Sequence, residues 1–353
     1  MLPSEIMSDR ARILCDERRS TRKLPANFNN ADLPLFGHEL SMLIPAAKLL
    51  ELNHVNVDST GIIFSAGRIL AESFNYRSEF IRWANARNLA KFFVRNHAFR
   101  IRKNLDKQGL WITDNWGSAY FHWLLDALPR LYVVRDQLAD STLLLPESFQ
   151  ESPYVVPSLA PFGIHDVRFI GRNEIVHCQK LLVPSHIAPS GHYNEGVIQD
   201  LRELYTAYYG HRRNGHPTEK IYISRRKANR RRITNEKEVI EVVKEHGFSV
   251  VAFEDYGFED QVKLMLSARY VVANHGAGLA NMLFLSAGSH VLELRRVGDK
   301  HNNCYFALAS GLDLQYYYQL CEAENQVEDT CWADVSVDLQ CLRRNLQMML
   351  AAA

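Results

Sequence analysis

The sequence has no cysteine framework, no excess of one charge, no long apolar run and no acidic metal signature, and each absence removes a class of protein. Its six cysteines, Cys15, Cys178, Cys304, Cys321, Cys331 and Cys341, form no CxxC pair. A chain of 353 residues is long enough to bury a core without covalent staples. No N-x-[ST] sequon occurs either, so a reduced, cytoplasmic setting is expected. Lys and Arg number 41 against 40 Asp and Glu, a net charge of +1. That balance gives no broad field for nucleic acid, and any phosphate recognition must be local. No apolar stretch reaches the ~20 residues that span a bilayer, and residues 1–23 are too charged for a signal peptide. Peripheral association with the inner face of a membrane stays compatible with this composition. There is no D-x-D, no HExxH and no clustered Cys/His spacing, so a metal-free site without a cofactor is expected.

What is present reads as a folded α/β protein. The hydrophobic fraction is 47% and the charged fraction 23%, and the length favours two domains. Residues 210–218, with Gly, Asn, His and Pro, form the best linker, dividing a domain at 1–212 from one at 218–325 with a tail at 326–353. Within 118–136, Phe121, Leu124, Leu125, Leu128, Leu131 and Tyr132 recur at helical spacing, with a kink expected at Pro129. Short strands are expected at 143–145, 167–170 and 180–183. Beyond the linker, strands at 221–223, 249–253, 270–273 and 290–294 alternate with helices at 235–247, 258–267 and 279–285. Asn235 and Glu238 are read as a capping box. This alternation predicts parallel βαβ units, a Rossmann-like domain. An amphipathic helix closes the chain at 339–353.

Three constellations can carry chemistry. An apolar strand runs into Asn274, His275, Gly276, Ala277 and Gly278 and then into a helix. Ligands of open α/β sheets bind beyond strand carboxyl ends, and helix N-termini attract anions. Glycines there let a diphosphate approach the backbone, though a strand-to-helix turn also uses glycine for geometry alone. Second, six of the eight residues from Arg225 to Arg232 are basic and follow a strand on the same rim. Guanidinium groups grip phosphate oxygens in pairs, whereas a basic run of this kind is otherwise a solvated loop. Third, His122 and Asp126 lie four apart and share a helix face, as an imidazole–carboxylate pair that removes a proton or as a local packing pair. The turn is not G-x-G-x-x-G, which disfavours a dehydrogenase, and no G-x-S-x-G elbow supports a serine hydrolase.

Together these segments resemble glycosyltransferase family 61, whose members include bacterial capsule- and lipopolysaccharide-associated enzymes and eukaryotic O-linked N-acetylglucosaminyl- and xylosyltransferases. The similarity is carried by Phe121-His-Trp-Leu-Leu-Asp-Ala-Leu-Pro129, by Ile223-Ser-Arg225 with Arg231-Arg-Ile-Thr-Asn-Glu236, and by His275-Gly-Ala-Gly-Leu-Ala-Asn-Met-Leu-Phe284 with Val291-Leu-Glu293. The resemblance implies a GT-B-like α/β fold, with two Rossmann-like domains facing a central cleft, the acceptor side at 1–212 and the donor side at 218–325. The tail helix is expected to pack back on the N-terminal domain. It implies inverting, metal-independent transfer of a hexose or pentose from a nucleotide-sugar, UDP-linked, to a glycan or lipid-linked glycan acceptor in polysaccharide biosynthesis. Arg225, Arg231, Asn274 and the turn from His275 to Gly278 would hold the donor diphosphate, and Glu293 the ribose hydroxyls. Asp126 would be the general base, with His122 beside it. The competing reading is a catalytically inactive nucleotide-sugar-binding scaffold of the same fold.

Overall fold

The structure, a computed structural model, describes residues 10–210, 219–300, 302–324 and 332–352. Apart from Gly210, the expected linker at 210–218 lies outside the described residues, as does Cys331. Two compact units emerge: Met1–Arg18 with Pro45–Ser190, and Arg19–Ile44 with Gly191–Ala353. The division falls ahead of the expected linker because the helix Glu195–Tyr209 packs in the second unit, where Tyr205 meets the rings of Phe258 and Phe284.

The second unit carries the expected parallel sheet. Its six strands run in the order Ser249–Val251, Lys220–Ile223, Tyr270–Asn274, His290–Arg296, Gln315–Ala323 and Val335–Ser336. The first five are parallel and the last is antiparallel. The two middle strands are buried on both faces along almost their whole length, as a sheet covered on both sides requires. The helix Phe258–Ser267 has its expected bounds. The chain leaves Lys220–Ile223 toward one sheet edge and returns to its other side at Tyr270–Asn274. A topological switch point therefore lies between these two strands, with the 225–232 loop and the 274–278 turn both leaving its carboxyl end.

Two local expectations are corrected here. The helix Glu236–Glu245 has no side-chain cap from Asn235, whose amide instead bonds both backbone groups of Val337. The helix after the glycine turn is a 3-10 helix, Ala277–Phe284. The C-terminal helix Leu339–Ala351 lays its apolar stripe of Leu342, Leu346 and Met349 into the second unit's core with Val239, Val243 and Leu292, and its Asn345 accepts from the Asn27 amide at 3.1 Å.

The first unit is a mixed nine-stranded sheet rather than the parallel sheet of a Rossmann-like domain. Glu174–Pro184 pairs in parallel with Ile101–Leu105 and Gln108–Leu110, while Ser141–Pro146 and Val167–Ile170 extend the parallel side. On its other flank it pairs antiparallel with the long strand Ala47–Asp58. That strand doubles back through Gly61, at φ +87°, into Ile63–Ser65, a local hairpin that only an antiparallel pairing permits. The expected strands at 143–145, 167–170 and 180–183 lie within observed ones.

The helical run at 118–136 is broken into the α-turn Tyr120–His122, the π-turn Trp123–Ala127 and the α-turn Leu128–Tyr132. Pro129 has no N–H to donate, and the π-turn, closed by Leu128 N–H on Trp123 O, absorbs the misfit just before it.

Candidate functional site

Six basic side chains leave the switch point between Arg225 and Arg232, and the structure sorts them. Arg226 and Lys227 both pair with Asp255, and Arg232 pairs with Asp334 at 3.0 Å. Arg230 and Arg231 lie over the Trp332 ring, at 4.8 and 5.0 Å. Among the described residues, neither Arg225 nor Arg231 is paired with a carboxylate, and these are the two expected to hold the donor diphosphate. Arg225 folds back across the turn, donating from Nε to Arg231 O (3.0 Å) and from Nη2 to Arg230 O (3.0 Å). Burial and the Arg231 cation together push its guanidinium below its ordinary value. Arg231 has φ +54°, a left-handed conformation that costs a non-glycine residue on the order of 1 kcal/mol and collects at functional sites. Two half-buried guanidinium groups without an ion pair among the described residues thus share one strained loop.

The turn residues take more varied parts than anion contact alone. Gly276 is needed because a Cβ there would lie 2.0 Å from Arg225 Nη1: its missing side chain makes room for the guanidinium. A Cβ on Gly278 would crowd Ile223 at 3.3 Å, so that glycine serves strand-to-helix packing. Asn274 donates from Nδ2 to Arg231 O at 2.7 Å and ties the strand end to the loop. Ala277 opens the 3-10 helix, whose first N–H groups have no intrahelical acceptor.

Glu293 lies beneath the turn, against His275. It is wholly buried, with one carboxylate oxygen bonded to His275 Nδ1 and the other accepting from Tyr316 Oη at 2.5 Å. Burial alone would raise its pKa, but the His275 contact overcomes this and holds the carboxyl below its ordinary value. Each oxygen thus holds one partner, and the contact to Nδ1 orients His275. With Nδ1 committed to Glu293, Nε2 is the His275 atom left for a ligand.

In the first unit, His122 Nδ1 lies 2.7 Å from Asp126 Oδ2, as the four-residue spacing predicted. Ser190 adds a second donor to the same oxygen, Oγ to Oδ2 at 2.8 Å. Asp126 is 8% exposed, whereas the His122 side chain is 18% exposed and rests against the Trp116 ring at 4.9 Å. The carboxylate is therefore placed to orient the imidazole, which is the more exposed of the two.

Sequence reasoning did not identify a second imidazole–carboxylate pair, His186 Nε2 to Asp114 Oδ2 at 2.7 Å, nor the fully buried Arg130, 3.7 Å from that same oxygen. Arg130 donates from Nε to Pro184 O, but its Nη1 and Nη2 have no hydrogen-bond partner among the described residues. Asp114, Asp126 and Glu72 all act on its charge. One signal was available: Arg130 follows Asp126 at the same four-residue step that separates Asp126 from His122. Burial would raise the Asp114 pKa, yet the His186 hydrogen bond and the Arg130 cation bring it below the usual carboxylate value. Its stabilisation is thus present above pH about 4 and lost as pH falls through the depressed native value. Arg130→Met should leave the buried carboxylate uncompensated and destabilise the protein by about 3–5 kcal/mol. Urea denaturation at pH 7 measures this, and a loss under about 1 kcal/mol would mean that His186 alone neutralises Asp114.

The second unit is thus an α/β unit with a cationic loop at the carboxyl ends of its switch-point strands. Residues 120–292 match the family model described as Glycosyltransferase 61, just under half of the chain. The match includes His122, Asp126, Arg225, Arg231 and the 274–278 turn, and stops one residue before Glu293. Protein O-linked-mannose beta-1,4-N-acetylglucosaminyltransferase 2 of Mus musculus is 40% identical over 93 residues, 24% of this chain and 16% of that protein. The protein of the same name in Xenopus laevis is 39% identical over 82 residues, 22% of this chain and 14% of the relative. EGF domain-specific O-linked N-acetylglucosamine transferase of Bos taurus is 33% identical over 95 residues, 26% and 18% of the two chains. The chain thus spans less than a fifth of the length of these relatives. These findings support the glycosyltransferase 61 family and a glycosyltransferase domain over residues 120–292.

Proposed function

We propose that this chain is a nucleotide-sugar-dependent glycosyltransferase whose second unit binds the donor diphosphate. The observation that carries the reading is the pair Arg225 and Arg231, without an ion pair to any described carboxylate and held at the glycine turn. As the bond from the anomeric carbon to the diphosphate breaks, negative charge grows on the departing oxygens. Fixed guanidinium groups, the His275 Nε2 position and turn N–H groups absorb that charge without reorganising. Because these groups supply the positive charge, the reading is of a metal-independent reaction. The acceptor hydroxyl gives its proton to His122, whose other nitrogen is held by Asp126, and attacks the opposite face of the sugar with inversion. The GT-B arrangement, a UDP-linked donor and a glycan or lipid-linked glycan acceptor in polysaccharide biosynthesis belong to the same reading.

The test is a screen of nucleotide sugars for thermal stabilisation, repeated in EDTA. A donor at 100 times its Kd stabilises a protein by about 2.7 kcal/mol, which a melting curve resolves. UDP sugars should raise the melting temperature, with or without EDTA. A flat response to every nucleotide sugar would remove the donor site, and stabilisation abolished by EDTA would remove the metal-free mechanism.

A further inference from the structure

The first unit contains a pocket of about 560 Å³ that no part of the reaction above uses. Its size falls within the range of small-ligand sites, about 300–1,000 Å³. The helix Ala86–Ala98 forms one wall, presenting Asn88, Lys91, Phe92 and Arg95 at the i, i+3, i+4 and i+7 positions of a single face. Trp83 lines the pocket as a half-buried platform. Its ring is fixed between Phe74, at 5.4 Å, and Phe92, at 5.6 Å. Asn88 donates its amide nitrogen to Trp83 O, which leaves the amide oxygen as an acceptor.

The charge at this wall is positive. Asp58, wholly buried beneath it, is shared by Arg95 at 3.3 Å and Arg100 at 3.5 Å, so one carboxylate faces two guanidinium groups. Lys91 adds an exposed ammonium with no ion-pair partner among the described residues. Asn115 also lines the pocket, and the next residue, Trp116, touches the His122 ring at 4.9 Å. Two consecutive residues thus link the pocket lining to the imidazole that takes the acceptor proton in the reading above.

We infer that this pocket is an acceptor subsite and that it takes a sugar unit bearing a carboxylate or a phosphate. The apolar C–H face of a pyranose matches the Trp83 platform, a hydroxyl matches the Asn88 amide oxygen, and the anionic group matches Lys91 and Arg95. The inference rests on the transferase reading for the word acceptor, and on the pocket alone for the class of ligand.

The full chain should be titrated with methyl β-glucuronide, glucose 6-phosphate and methyl β-glucoside, with binding followed by ligand-observed NMR. At least one of the two charged sugars should bind about tenfold more tightly than the neutral glucoside, and which of them does so identifies the anion. Lys91→Gln should bring that ratio toward one, and Lys91→Glu should invert it. Both are changes at an exposed position, so folding is not at stake. Equal affinity for neutral and charged sugars would overturn the inference, as would a ratio unmoved by either variant. Inorganic phosphate competing as well as glucose 6-phosphate would also overturn it, since that describes an anion site without a sugar. Nucleotide-sugar stabilisation measured on the same samples separates the two claims. If it persists while the charged sugars fail, the subsite alone falls. If it vanishes while they bind, the transferase reading falls and the saccharide pocket stands.

Discussion

Asp126→Asn is expected to reduce transfer by on the order of 10³–10⁴ while leaving affinity for the nucleotide diphosphate at its wild-type value. The magnitude follows from replacing a buried carboxylate that orients a catalytic imidazole with its neutral isostere, as in hydrolytic triads. Asp126 Oδ2 takes donors from His122 Nδ1 and Ser190 Oγ, so the His122 proton sits on Nδ1 and Nε2 is left as the base. An asparagine can present its amide N–H to Nδ1, which would move the imidazole proton to Nε2 and leave the wrong tautomer facing the acceptor. It also removes the negative charge that stabilises the imidazolium once the acceptor proton arrives. Donor affinity should not move, because Arg225, Arg231 and His275 all belong to the second unit. Steady-state transfer and calorimetry with the nucleotide diphosphate separate the two effects. Turnover within about threefold of wild type would remove Asp126 from the mechanism, and His186, the first unit's second described imidazole–carboxylate pair, would become the base to test next.

How much of this was legible in the sequence depended on whether the determining contact was local. The helix Phe258–Ser267 and the strand Tyr270–Asn274 follow from apolar periodicity and a single flanking turn, and they emerged nearly residue for residue. The run at 118–136 did not, because periodicity cannot distinguish a proline kink from a π-turn that accommodates the same proline. Segment Arg19–Ile44 carries no pattern that assigns it to the second unit. Its place is set by partners about 290 residues away, where Asn27 bonds both backbone groups of Tyr318. Asn235 met every rule for a helix cap and was instead used to tether Val337, a competition that only the fold resolves. In the basic run, Arg225 and Arg231 were singled out from six residues by resemblance; in the structure Arg226, Lys227 and Arg232 find acidic partners outside the loop, on Asp255 and Asp334, while Arg230 lies with Arg231 over the Trp332 ring. The part played by Glu293 was unreadable for the same reason, since it needed Tyr316 and His275, which are brought together only by the parallel register of their strands.

Arg225→Ala should weaken nucleotide-diphosphate binding and lower the rate of transfer by on the order of 10²–10³, the cost of losing one preorganised donor to a developing anion. A simple loss would be ambiguous, because Arg225 also holds its own loop through the carbonyls of Arg230 and Arg231. Gly276→Ala resolves this. The added Cβ would fall 2.0 Å from Arg225 Nη1, and since the clash is with the end of a flexible side chain, the guanidinium must move while its charge and the chain's net charge stay unchanged. If catalysis depends on where that charge is fixed, Gly276→Ala should lose most of what Arg225→Ala loses, and Arg225→Lys should recover little, because an ammonium cannot span the two loop carbonyls and a phosphate at once. If only the presence of positive charge matters, Gly276→Ala and Arg225→Lys should both stay close to wild type. Melting temperatures of the three variants, compared without ligand, identify any loss that comes from the loop unfolding. The preorganised anion site predicts variants that melt alike and differ by orders of magnitude in turnover.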